Sequence, residues 1–116
     1  MQDLYARIAG AADTSEDVAR QSVAHILAFM QAESDDPAVG RMVAETPGAS
    51  EALAATDGAD GSGGIMGLGA RLMALGLDMG QIRAVAEELV SFSKAQLGEE
   101  TVDDAIASVP ALAQFV

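Results

Sequence analysis

Apolar residues recur three and four positions apart over residues 15–33, SEDVARQSVAHILAFMQAE, and place Ala19, Val23, Ile26, Leu27 and Met30 on one side of a 3.6-residue period. This spacing predicts an amphipathic helix. Glu16 and Asp17 stand where the positive end of the helix dipole favours acids, and Asp13, Thr14 or Ser15 supplies the cap. In DDPAVGRMVAE, which follows, Asp36 is the capping residue and Pro37 takes the first helical position, where a missing N–H costs nothing. ETPG stops that helix, because the residue before a proline is pushed out of the α region. Residues 49–55, ASEALAA, predict a further short turn of helix.

The second half repeats the scheme. Over residues 79–97, MGQIRAVAEELVSFSKAQL, one face carries Ile82, Val85, Ala86, Leu89 and Val90, and Asp78 with Gln81 forms an approximate capping box at the start. GEETVDDAIASVP predicts a short helix with Thr101 or Glu100 near its cap, Asp103 and Asp104 in its first turn and Pro110 at its end. A shift of 63 residues lays Ile26 on Leu89, Leu27 on Val90, Phe29 on Phe92, Val39 on Val102, Val43 on Ile106 and Pro47 on Pro110. The pattern reads as a degenerate internal duplication, with pseudo-repeats at about 13–48 and 77–111. Each repeat is a helical hairpin with one apolar face to bury against the other.

Between the halves runs DGADGSGGIMGLGARL, residues 57–72. A dinucleotide fingerprint needs a preceding strand and a phosphate loop needs a lysine after its last glycine; neither is present. Counted from Asp57 as the first ligand of a calcium loop, the third position is Ala59 and the twelfth Leu68, so that pattern fails too. The glycine-rich stretch 56–64 therefore reads as a linker. From Ile65 to Leu77 the chain is apolar on nearly every side: Ile65, Leu68, Leu72 and Leu75 line one face, and Met66, Met73 and Leu77 another. A helix of that kind is buried, either centrally in the domain or under a partner. Each helical glycine weakens it by ~1 kcal/mol relative to alanine, which tertiary contact must offset.

Composition narrows the class. Half of the residues are hydrophobic but only 3% are aromatic, so the core is built from Ala, Val, Leu, Ile and Met, and the fold class is all-α. Eighteen acidic residues face six basic ones, a formal charge of −12 that repels phosphate backbones and anionic lipid heads. Nucleic acid is not expected as a partner. There is no cysteine, which removes disulfides, thiolate chemistry and cysteine zinc sites. MQDLYARIAG lacks the basic and apolar regions of a secretory leader, and no apolar run is long enough to span a bilayer, so a cytoplasmic location is expected.

Little in the chain points to catalysis. His25 is the one histidine, a step off the Ile26–Leu27 stripe, and reads as a boundary residue. There is no G-x-S-x-G elbow and no Glu-x-x-His pair for a di-iron centre. Asp35–Asp36, Glu99–Glu100 and Asp103–Asp104 are adjacent pairs at helix starts, where they serve the dipole.

The segment LGLDMGQIRAVAEELVSFSKAQLGEETVDDAIASVPAL, preceded by GGIMGLGARLMA, resembles the C-terminal part of the VcgC/VcgE family of small bacterial helical proteins. In that family a glycine-rich linker leads into LGL and a capping Asp or Ser, then a long helix and a short terminal one. The resemblance implies five or six helices and no established activity, and it carries over no functional residues. The expectation is thus a single domain over residues 1–116 of five to six helices, two pseudo-repeated hairpins joined by the linker and a central apolar helix. Its expected function is non-enzymatic, as a protein-interaction or self-association module with Ile65, Met66, Leu68, Leu72 and Met73 as the contact surface. The alternative is a carrier of a small apolar ligand or lipid in a pocket between the hairpins. No cofactor or metal is expected.

Overall fold

The computed structural model describes residues 2–34, 36–46, 49–56 and 64–110. Among them seven α-helices follow one another: α1 (Gln2–Ala12), α2 (Glu16–Glu33), α3 (Pro37–Glu45), α4 (Ala49–Ala55), α5 (Gly64–Ala74), α6 (Met79–Leu97) and α7 (Glu99–Ala107). No strand occurs among the described residues. The fold is all-α, with more helices than the five to six expected. The additional element is α1, whose Leu4, Ile8 and Ala12 stand four apart and are all buried.

The helix ends show why the chain breaks where it does. Ser15 caps α2 by accepting from the Val18 N–H at 3.1 Å. Asp78 caps α6 as expected: its carboxylate accepts from the Gln81 N–H at 2.8 Å, and Gln81 Oε1 accepts from the Asp78 N–H at 2.9 Å. Asp36 caps α3 and Pro37 opens it, while Thr46 is extended (ψ 116°), as a residue preceding proline should be. Pro47 itself lies outside the described residues. The start of α7 differs from expectation. Its N-cap is Gly98 (φ 93°), with no side-chain bond, because the same residue also ends α6 and leaves no room for Thr101 or Glu100 to cap.

The apolar helix expected over Ile65–Leu77 stops at Ala74, three residues before Leu77. The Leu77 N–H reaches back to the Leu72 carbonyl at 3.4 Å and the Gly76 N–H to that of Met73 at 2.9 Å, with Gly76 at φ 95°. That pair of bonds is a Schellman motif, and buried Leu77 supplies its usual apolar contact with Leu72. α1 ends with the longer bond of the same motif: the Thr14 N–H bonds to the Ala9 carbonyl at 3.0 Å, and Asp13 takes the positive φ of 53°.

The helix enclosed on all sides is α2 and not α5. Nine consecutive residues of α2, Ser22 to Met30, are buried, under α1, α4, α5, α6 and α3 in turn. The reason lies in side-chain size. α2 presents Ala19, Ala24 and Ala28 around its circumference, so neighbours can approach from every direction. α1 lies across both α2 and α6, and α3 packs on α7. Between α2 and α6, Val23, Leu27 and Phe29 join Val85, Leu89 and Phe92 in one hydrophobic core.

Candidate functional site

α5 rests on α2 and makes little contact with α6. Its five expected contact residues divide by face. Leu68 and Leu72 point inward and are buried, Ile65 is half-buried, and Met66 and Met73 stand 82% and 51% exposed. Three methionines are the large exposed apolar side chains of the described residues, and the third is Met79, at the first position of α6. Leu77, expected beside Met66 and Met73, is instead buried by the turn that ends α5.

Between α5 and α6 the surface opens into an apolar cleft of about 40 Å³. Ile65, Leu68, Gly69 and Leu72 form its α5 wall, Met79, Ile82 and Ala86 its α6 wall, and Ile26 its floor. At 100° per residue, Met66 and Met73 lie about 60° and 40° round from Gly69 in the same direction, away from buried Leu68. Met66 and Met73 thus stand on the outer face of α5 beside the cleft without lining it, and Met79 lines it from α6. Gly69 keeps the α5 wall low.

Sequence spacing does not reveal the α6 wall, because it assigns Ile82 and Ala86 to the core stripe alone. The signal available was Met79, three residues before Ile82 and seven before Ala86, which extends the edge of that stripe to the residue directly after the capping Asp78. Nothing in the one-dimensional pattern of Ile26 separates a cleft floor from ordinary core.

The cleft lining contains no ionisable side chain and no side-chain hydrogen-bond donor. It can hold apolar matter and orient none of it by polar contacts. Polar groups gather elsewhere. Arg20 of α2 donates to Asp17 at 2.6 Å and to Thr56 Oγ1 at 3.3 Å, tying α2 to the end of α4. The Arg20 hydrogen bond holds the Asp17 carboxyl below the usual carboxylate range. Nearby, burial pushes the Tyr5 phenol above its ordinary value, with Arg20 opposing and Glu51 adding to the rise. Arg7 of α1 meets Glu88 of α6 at 3.1 Å, and Lys94 meets Asp103 across α6 and α7 at 3.2 Å.

Thr56, expected to begin a slack linker, is buried by its bond to Arg20. Residues 57–63 of that linker lie outside the described residues, and Gly64 opens α5. His25 is buried and so is not the boundary residue its position beside the stripe suggested: the enclosure of α2 leaves it no open side. Among the described residues no group of three or more His, Cys, Asp or Glu side chains could hold a metal ion. Nor is any described helix long and apolar enough to cross a membrane. The chain matches no known family model, no curated protein and no solved structure.

Proposed function

We propose that this protein is a non-enzymatic interaction module whose contact surface is the methionine-rimmed cleft between α5 and α6. One observation carries the reading: exposed Met79 lines a cleft without polar side chains, and the other two large exposed apolar side chains of the described residues, Met66 and Met73, stand on α5, the helix that forms the opposite wall. Methionine adapts its unbranched, polarizable side chain to irregular apolar partners. Its exposure here leaves room for a partner's apolar side chain to enter the cleft while the rim adjusts. Residues 61–77 contain no acid in a chain of net charge −12, so the α5 side of this edge presents less repulsion to acidic partners than the rest of the surface, with Asp78 the acid nearest to Met79 in sequence. Ile65, Met66 and Met73 make the contact, and Leu68 and Leu72 hold α5 in place beneath it. The cysteine-free, acidic composition suits a bacterial cytoplasm.

The test is a photocrosslinking amino acid placed at position 66 or 73 in the expressing cell, with position 104 on α7 as control. A protein adduct at the first two positions and none at the third supports the reading. Equal labelling at all three, or none, overturns it.

A second reading follows from the lining. A cleft without hydrogen-bonding groups also suits the end of a hydrocarbon chain, and the protein would then carry a small apolar ligand. Native mass spectrometry separates the two: an adduct of small mass lost on Ala86→Phe marks the carrier, and a protein complex marks the module.

The same proposal includes the duplication and the family. Supporting the duplication, the cap at Ser15 recurs 63 residues later at Asp78, and the positive-φ helix ends at Asp13 and Gly76 have the same separation. The repeat unit would then be three helices, α1–α3 and α5–α7, with α4 between them. Supporting VcgC/VcgE kinship, the LGL and Asp78 of the resemblance form the turn and cap that launch α6.

A further inference from the structure

We infer that Met66, Met73 and Met79 form a reversible modification site for peroxides, at which oxidation converts the apolar rim into a polar one. The five described methionines separate sharply. Three are 82%, 51% and 52% exposed, two on α5 and one at the first residue of α6, and the other two, Met30 and Met42, are 1% exposed inside the core. The chain has no cysteine, so no thiolate of its own intercepts the oxidant first.

The chemistry is a two-electron oxygen transfer. A sulfur lone pair attacks the terminal oxygen of hydrogen peroxide or an alkyl hydroperoxide, and the O–O bond breaks. The thioether becomes a sulfoxide, and the peroxide is reduced to water or an alcohol. Thiol-driven methionine sulfoxide reductases reverse the step. A sulfoxide is a polar, chiral acceptor, and three of them around a cleft without donors replace an adaptable apolar surface by one that binds water. Because the three side chains stand outside the core, the fold survives the change. The modification itself rests on exposure, and only its effect on docking rests on the proposed interaction module.

The full chain is treated with dilute hydrogen peroxide and mapped by peptide mass spectrometry against time, with Met1 scored separately. Met66, Met73 and Met79 should gain one oxygen each at least roughly tenfold faster than Met30 and Met42, with Met66 foremost. The oxidised protein should keep its cooperative melt and elute earlier from a hydrophobic-interaction column. A methionine sulfoxide reductase mixture should restore the original retention. The variant M66L/M73L/M79L should keep its retention through the same treatment. Comparable oxidation of Met30 or Met42 in the folded protein, or unchanged retention after all three rim sites are oxidised, would overturn the inference. Because these readouts need no partner, a failed crosslink at position 66 or 73 leaves them intact, and their failure leaves the docking reading to its own test.

Discussion

Gln81 donates through Nε2 to the Ala12 carbonyl oxygen at 2.7 Å, across 69 residues of sequence. The same side chain accepts from the Asp78 N–H through Oε1. One amide thus closes the start of α6 and satisfies a carbonyl left open at the end of α1, two groups that would otherwise need water. This fixes the corner at which α1 turns into α2 and lies over α6. Gln81→Ala should cost about 1–2 kcal/mol in urea unfolding, the sum of a cap and a tertiary hydrogen bond. Gln81→Glu keeps the acceptor for Asp78 and loses the donor for Ala12, setting a carboxylate against a carbonyl. Equal stability of the Glu variant and wild type would show that the bond to α1 contributes nothing.

The two Schellman ends respond in opposite senses to substitution. Asp13 holds a φ of 53° with a side chain attached, and Gly76 holds 95° without one. Asp13→Gly relieves a left-handed conformation and should stabilise by about 0.5–1 kcal/mol, less whatever backbone freedom glycine adds to the unfolded chain. Gly76→Ala should destabilise by about 1–2 kcal/mol. Open space surrounds the position where a Cβ would be built on Gly76, so this cost is conformational and not steric. Thermal melts of the pair, displaced to opposite sides of wild type, check the argument.

Burial separates the two phenylalanines that the 63-residue shift pairs. Phe29 on α2 is fully enclosed and Phe92 on α6 keeps a little exposure. Phe29→Ala should cost about 3–5 kcal/mol, with Phe92→Ala at or below the lower end, because a site near the surface can relax or admit water. Chemical denaturation of both variants would measure the difference, and a larger loss at Phe92 would contradict the assignment of α2 as the enclosed helix.

Tyr5 sets an alkaline limit. Burial favours the neutral phenol, so its folded pKa lies above the ordinary 10.0. Stability from this group is complete below that ordinary value and is lost as pH rises through the higher folded value. Tyr5→Phe should flatten the fall in melting temperature above pH 10, and the absorbance of tyrosinate should rise later in the folded than in the urea-unfolded protein. Asp17 acts in the opposite sense. Its carboxyl is depressed chiefly by the Arg20 hydrogen bond, so its contribution is present above the ordinary carboxylate value of 3.8 and disappears as pH falls through the lower folded one. Full exposure to solvent keeps this second effect small.

Capping chemistry and period made most of the helices legible before any coordinates. Asp78 and Gln81 announce α6, Asp36 and Pro37 announce α3, and the stripe from Ala19 to Met30 announces α2. α1 was missed because Gly10 and a run of small residues dilute its apolar stripe, leaving Leu4, Ile8 and Ala12 as the only marks of burial. The relative depth of α2 and α5 was also hidden. A helix rich in leucine and methionine looks more buried than one built on alanine, yet small side chains are what let neighbours surround α2. The cleft needed two helices and a floor from a third, a conjunction no single stretch encodes.

The division of α5 into an inner and an outer face makes the sharpest demand on the structure. Leu68 and Leu72 anchor the helix on α2, Met66 touches mainly solvent and Met73 is half exposed. Leu72→Ala should destabilise by about 2–5 kcal/mol through the cavity it leaves, and Leu68→Glu should release α5 from the core altogether. Met66→Glu should stay within about 0.5 kcal/mol of wild type, since it loses little buried area, and Met73→Glu, with half its surface covered, should cost somewhat more but well below the leucine variants. Amide hydrogen exchange along residues 64–77 provides the readout. Faster exchange confined to α5 in the leucine variants, with near-native protection in the methionine ones, places the faces as described. If instead Met66→Glu unfolds the helix, its outer face is packed against protein, and the methionine rim cannot be a free surface for a partner or for peroxide.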